Sequence, residues 1–140
     1  MKEMAKVEFF EPLGEFKEDP RGFSFFPWRA GLREPQDFLK TFHLISLQPG
    51  QVRGNHLHPG HWEWLYPFHG NGIFSWEPAP GEVQQREFAG NRTLICIPPG
   101  VAHALRNPGP KVLYLLSWRE TAGPAPGEPE TVPRPLVPES

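Results

Sequence analysis

The sequence predicts an all-β fold, a sandwich or barrel of short strands with at most one short helix. From residue 42 onward, apolar and aromatic runs alternate with turn phrases at near-regular spacing: Pro49-Gly50, Pro59-Gly60, Gly70-Asn71-Gly72 and Pro78-Ala79-Pro80-Gly81. Helical patterning is confined to residues 33–40, REPQDFLK, where Pro35 suits a first helical position. No segment repeats at a fixed period, which sets aside stacked-repeat architectures.

Taken in order, residues 5–10 read as a short edge strand that Pro12 and Gly14 end. The turn Asp19-Pro20-Arg21-Gly22 leads into an aromatic strand over 23–28. After the helical candidate, strands are predicted at 42–48, 53–58, 62–69, 73–76, 82–88, 93–97, 102–107 and 111–119. The runs 42–47 and 111–116 are apolar on both faces, whereas one barrel core takes one face of each. A second subunit is the simplest cover for the other, so a homodimer is expected. Residues 121–140, rich in Pro and without periodicity, read as an extended tail laid over a surface through Val132, Leu136 and Val137, or else loose. Residues 1–120 then form one domain, as a chain of 140 residues allows.

Charge and composition exclude several partners. A formal net charge of −2 without any Lys/Arg block leaves no footprint for nucleic acid or an anionic membrane. The N-terminal residues are acidic where a signal peptide is apolar, and no run reaches transmembrane length, which predicts a cytoplasmic protein. The lone Cys96, within Leu94-Ile95-Cys96-Ile97, reads as a small core hydrophobe.

The chemistry concentrates between Gly50 and Gly70. His56 and His58, two apart on a predicted strand, share a face, and Pro59-Gly60-His61 folds the chain back toward Glu63. His103, in the phrase Pro98-Pro99-Gly100-Val101-Ala102-His103, offers a fourth donor. Three imidazoles and a carboxylate suit a divalent transition metal such as Zn, Mn, Fe or Ni, with room for water or substrate. Two alternatives stand beside this: ordinary strand histidines, or the same residues working without metal with a His as base. His43 and His69 are the acid/base candidates, both at inward parity on their strands; His61, in the turn, is expected to be solvated. Arg53 is out of phase with His56 and is expected to face outward, unless Gly54 carries a bulge. Trp62, Trp64 and Tyr66 alternate away from Glu63, while Trp76, Tyr114 and Trp118 are possible pocket walls.

The spacing Gly50-x5-His56-x-His58-x4-Glu63-x6-Gly70 resembles the first motif of the cupin superfamily, and Pro98-x-Gly100-x2-His103-x3-Asn107 resembles the second. One departure is Arg92, which stands where the second motif has a Gly; Gly90 lies two residues earlier, so a longer turn is expected there. The resemblance implies a double-stranded β-helix, a jelly-roll-like barrel, with His56, His58, Glu63 and His103 as metal ligands. Three phrases narrow it further: Arg53-Gly54-Asn55-His56-Leu57-His58, the stretch from Ile97 to Asn107, and Leu113-Tyr114-Leu115-Leu116-Ser117-Trp118. With the late Pro129-Glu130-Thr131, they are similar to the C-terminal cupin domain of capsular-polysaccharide nucleotide-sugar reductases. The Arg-Gly-x-His phrase is shared with dTDP-sugar epimerases and ketoisomerases. What this implies is a metal-dependent isomerase or epimerase acting on a nucleotide-linked keto sugar in polysaccharide biosynthesis. A non-catalytic cupin that binds a metal or small ligand, and a metal-dependent dioxygenase, remain as alternatives.

Overall fold

A computed structural model describes residues 16–26, 41–121 and 129–139. Among these lie eleven strands: β1 (Phe16–Asp19), β2 (Gly22–Phe25), β3 (His43–Leu47), β4 (Val52–Leu57), β5 (His61–His69), β6 (Asn71–Ala79), β7 (Glu82–Ala89), β8 (Ile95–Ile97), β9 (His103–Arg106), β10 (Leu113–Thr121) and β11 (Val132–Pro133). The edge strand expected at 5–10 and the helix expected at 33–40 lie outside the described residues. No helix among the described residues is long and apolar enough to cross a membrane.

The strands form two antiparallel sheets, ordered β1-β2-β3-β10-β5-β8 and β11-β4-β9-β6-β7. Alternation decides which face each buries. Along β5, Glu63, Leu65 and Pro67 are buried, while Trp64 and Tyr66 are half-buried on the other face and Trp62 is exposed. The core between the sheets takes Leu47, Leu65, Phe74, Leu105, Leu113 and Leu115. Each such buried aliphatic or aromatic side chain stabilises by about 1.5–3 kcal/mol relative to exposure.

Three positive-φ glycines shape the turns that the motifs mark: Gly50 at 81°, Gly70 at 92° and Gly100 at 79°. At the departure in the second motif, Asn91 takes φ 65° in the turn between β7 and β8 and donates its N–H to the Pro67 carbonyl at 2.9 Å. The longer turn therefore keeps a left-handed residue, supplied by Asn instead of Gly. Asn107, fully buried, donates from Nδ2 to the carbonyls of Leu47 and Lys111, both at 2.8 Å, and accepts the Gly109 N–H at 3.1 Å. It ties the loop between β9 and β10 to the end of β3.

One expectation is corrected here. Cys96 is exposed, because β8 is a sheet edge on which Ile95 and Ile97 turn inward and Cys96 outward. The connection after His58 folds the chain back toward the histidines as expected, and does so by passing from one sheet to the other, since β4 and β5 belong to different sheets. It is a corner, and Glu63 meets His58 across the sandwich instead of along one sheet. The tail, for its part, is laid down: β11 pairs with β4 through Val132–Leu57 and Pro133–His56, and the side chain of Asn55 bonds the backbone of Leu136 and Val137.

Candidate metal centre

A bulge in β4 sets the geometry of the site. Gly54 and Asn55 both take positive φ, 92° and 58°, and the pairing with β9 skips a residue between Gly54 and His56. The extra residue shifts parity, so that Arg53 and His56 face the same cavity. This corrects the outward assignment of Arg53 and takes the bulge alternative. Arg53 bonds from Nε to the Ser46 carbonyl at 3.1 Å and from Nη2 to the Phe23 carbonyl at 3.2 Å.

One candidate ligand atom from each of His56, His58, Glu63 and His103 lies within 4.8 Å of the others. The imidazole centroids are 4.6 Å apart for His56–His58, 4.8 Å for His56–His103 and 5.7 Å for His58–His103. Hydrogen bonds fix two tautomers. A carbonyl can only accept, so the Nδ1 of His103, 3.1 Å from Val101 O, and the Nδ1 of His58, 3.2 Å from Glu130 O, each carry the proton. In the neutral rings both Nε2 atoms then present lone pairs inward.

The donor set fits a divalent ion. His58 Nε2, His103 Nε2 and Glu63 Oε2 are buried without a hydrogen-bond partner, and His58 Nε2 is 2.6 Å from Glu63 Oε2. With a single His58 proton, on Nδ1, that approach brings two lone pairs together, which a shared metal ion, or a second proton on the ring, relieves. Burial, followed by the charges of His103 and His58, lowers the His56 pKa to about 4, so its ring is neutral at physiological pH. Burial alone would raise the Glu63 carboxyl, but hydrogen bonds and positive charge from His103 and His58 in their protonated forms more than offset it and hold it well below the usual carboxylate value, and an ion in place of those protons acts in the same direction. A neutral His56 and an ionised Glu63 are the protonation states in which these two residues bind a transition metal.

The cluster opens on a cavity of about 190 Å³ walled by Arg21, His43, Arg53, Glu63, His103 and Arg119 with apolar Ile45, Leu65 and Leu105. His43 is 6 % exposed, stacks on Phe26 at 4.3 Å and donates from Nδ1 to the Thr41 carbonyl at 2.7 Å. Burial lowers its pKa. Arg119 Nε lies 3.6 Å from Glu63 Oε2, and Arg119 Nη1 bonds Glu130 at 2.6 Å.

The other candidates go elsewhere. His69 holds inward parity, but it sits six positions beyond Glu63, about 20 Å along the strand at ~3.3 Å per residue. It is exposed, bonds the Val112 carbonyl at 3.0 Å and faces a different cavity with Phe68 and Asn91, so the structure does not bring it to the cluster. His61 opens β5 opposite Thr121, half-buried and outside the cluster. Trp118 stacks on Trp64 at 6.1 Å, and Tyr114 on Phe68 at 5.9 Å, on the outer face of their sheet; Trp76 packs beside Phe74 at 5.7 Å. None of the three lines the cavity. Sequence reasoning missed Arg21, read only as a turn residue, and the contacts of Glu130 and Thr131 with His58. The signals were the hairpin that carries Arg21 back over β3 and the Pro-Glu-Thr phrase ahead of the last strand.

Comparison with known structures supports the architecture. The capsular polysaccharide assembling protein CapF from Staphylococcus aureus superimposes with a TM-score of 0.71 at 21% identity, over 92% of this chain and 34% of that one. CapF with the inhibitor 3-isopropenyl-tropolone gives 0.69 at 21% identity, over 87% and 34%. A recombinant oxalate oxidase in complex with glycolate gives 0.55 at 18% identity, over 66% and 44%. The chain thus spans about one third of CapF, and at these identities the likeness is one of fold. No curated protein matches it by sequence. The model of the cupin domain matches residues 43–119, more than half of the chain and the whole run from the first residue of β3 to Arg119. With that match, the two antiparallel sheets and the motif glycines in their left-handed turns, the chain belongs to the cupin family.

Proposed function

We propose that this cupin is a metal-dependent isomerase or epimerase of a nucleotide-linked keto sugar in polysaccharide assembly, with His56, His58, Glu63 and His103 holding the ion. One observation carries the reading: His43, which is not in the ligand cluster, and three guanidinium groups share one cavity with three of the four candidate ligands, His56, Glu63 and His103. A site that only stored metal has no use for that company. The fold likeness to the capsular polysaccharide assembling protein points the same way.

A divalent ion held by His56, His58, Glu63 and His103 would supply Lewis acidity toward a carbonyl oxygen of the substrate. The chain's own groups do the rest. His43, its Nδ1 proton spent on Thr41, keeps the Nε2 lone pair for a proton on the carbon next to the ketone, and its lowered pKa keeps the ring neutral for that task. Arg21, Arg53 and Arg119 supply positive charge for a phosphate-bearing substrate, while Ile45, Leu65 and Leu105 exclude water from the cavity floor.

Protein purified without added metal, incubated in D2O with dTDP- and UDP-4-keto sugars, is expected to incorporate deuterium beside the ketone. His43→Asn is expected to slow this by about 10²–10⁴-fold at unchanged metal content. No exchange with any keto sugar, with metal bound, would leave the binding-module reading in its place.

A further inference from the structure

His58 is oriented by residues far along the chain. Its ring is 2 % exposed, and its Nδ1 faces both the Glu130 carbonyl and Thr131 Oγ1 at 3.2 Å. His103, by contrast, takes its orientation from a carbonyl two residues away. The same short segment reaches the other flank of the cluster. The Glu130 carboxylate accepts from Arg119 Nη1 at 2.6 Å, while Arg119 Nε, buried without a hydrogen-bond partner, stands 3.6 Å from Glu63 Oε2. Arg119 is therefore shared between two carboxylates, of which one belongs to the cluster. Beyond Thr131 the segment is pinned by β11 on β4, by Asn55 on Leu136 and Val137, and by Arg134 on Glu77 at 2.9 Å.

We propose that Glu130 and Thr131 are positioning residues of the metal centre. The Glu130 carbonyl and the Thr131 hydroxyl keep the His58 proton on Nδ1 and aim Nε2 at the ion, while the Glu130 carboxylate holds the Arg119 guanidinium off Glu63. The inference rests on the metal reading of the cluster. Loss of the partner of a ligating imidazole frees the ring to rotate and lowers its basicity, which typically weakens metal binding about 10- to 100-fold. Release of Arg119 acts by a separate route, because a guanidinium closing fully on Glu63 competes with the ion for the one carboxylate of the set.

The full-length chain, stripped of metal, would be titrated with Co²⁺ and followed by its d–d absorption, with chelator competition giving the affinity. Thr131→Val is expected to weaken Co²⁺ binding on the order of 10-fold and to shift the d–d band, and Thr131→Ser to restore both. Glu130→Ala is expected to weaken binding as well, and Arg119→Ala to recover it in the Glu130→Ala background. A purely structural tail would not show either rescue. If Thr131→Val and Glu130→Ala keep the parent's affinity and band, the positioning role is wrong although the centre stands. If the parent takes up no stoichiometric Co²⁺, or His58→Ala binds it as well as the parent, the metal assignment itself falls.

Discussion

Gly54 has little tolerance for change. It sits at φ 92°, and a Cβ there would meet the His103 carbonyl oxygen at 2.9 Å and Ala104 Cα at 3.1 Å, neither of which can yield. Gly54→Ala should cost about 1–3 kcal/mol and, by pushing on His103, weaken metal uptake; a thermal melt with and without Zn²⁺ measures both. Protons should act on the same spot. The His56 pKa, about 4 when folded against an ordinary 6.5, means the unfolded chain binds a proton in that window that the folded chain does not. The metal-free protein should therefore hold this stability above pH ~6.5 and lose it as pH falls toward ~4, with His43, lowered by burial, adding in the same direction. Melting midpoints that stay flat from pH 7 to 4.5 would contradict it. The four cluster residues were legible in the sequence because strand periodicity and motif spacing are local. Arg53 was not, since its direction hangs on a one-residue bulge that Gly54 permits without requiring.

Loops and strands show the same division between local and distant causes. Asn107 closes the last motif, and its structure gives the reason: one side chain makes three hydrogen bonds that join β3 to the loop before β10. Asn107→Ala leaves the buried Leu47 carbonyl short of a donor, and we expect a loss of roughly 1–3 kcal/mol, read by urea unfolding, with metal affinity little changed. Strand positions were readable from turn residues, as β3 through β10 illustrate. Sheet membership was not: the Pro59-Gly60 phrase marks a chain reversal, and only tertiary packing makes it a corner between sheets. Edge status is equally invisible locally, which is why Cys96, in an apolar run, faces water at the rim of its sheet. The short β11 lacked any strand signal of its own, because its Pro-rich residues gain their pairing from the bulge at Asn55.

At the scale of the molecule, the outer face of β5 and β10 carries an aromatic surface that calls for a cover. Trp64 stacks on Trp118, Phe68 on Tyr114, and Trp62 is 39% exposed, so an aromatic row lines this face, and among the described residues no further sheet lies over it. Soluble monomers seldom expose a continuous apolar patch beyond a few hundred Å². We predict a two-fold dimer built on this face, with sedimentation at low micromolar concentration giving twice the 15.9 kDa of one chain. Trp64→Glu should shift it to monomer without loss of the metal centre, which lies on the opposite face of β5. A parent that sediments as a monomer would assign the cover to the chain itself.

The cluster draws its members from both sheets: His56 and His103 come from β4 and β9, and Glu63 from β5 across the sandwich. An ion seated there would be a cross-link between two layers that are otherwise held by side-chain packing and by hydrogen bonds such as those of Arg53 and Asn107, much as a disulfide would be, but reversible and set by free metal concentration. Its reach is mechanical as well as chemical. Amide protons of β4 and β5 should exchange more slowly as the ion is added, and by mass action the two layers should part less often in proportion to 1 + [metal]/Kd, so that the supply of metal would set how tightly this barrel stays shut.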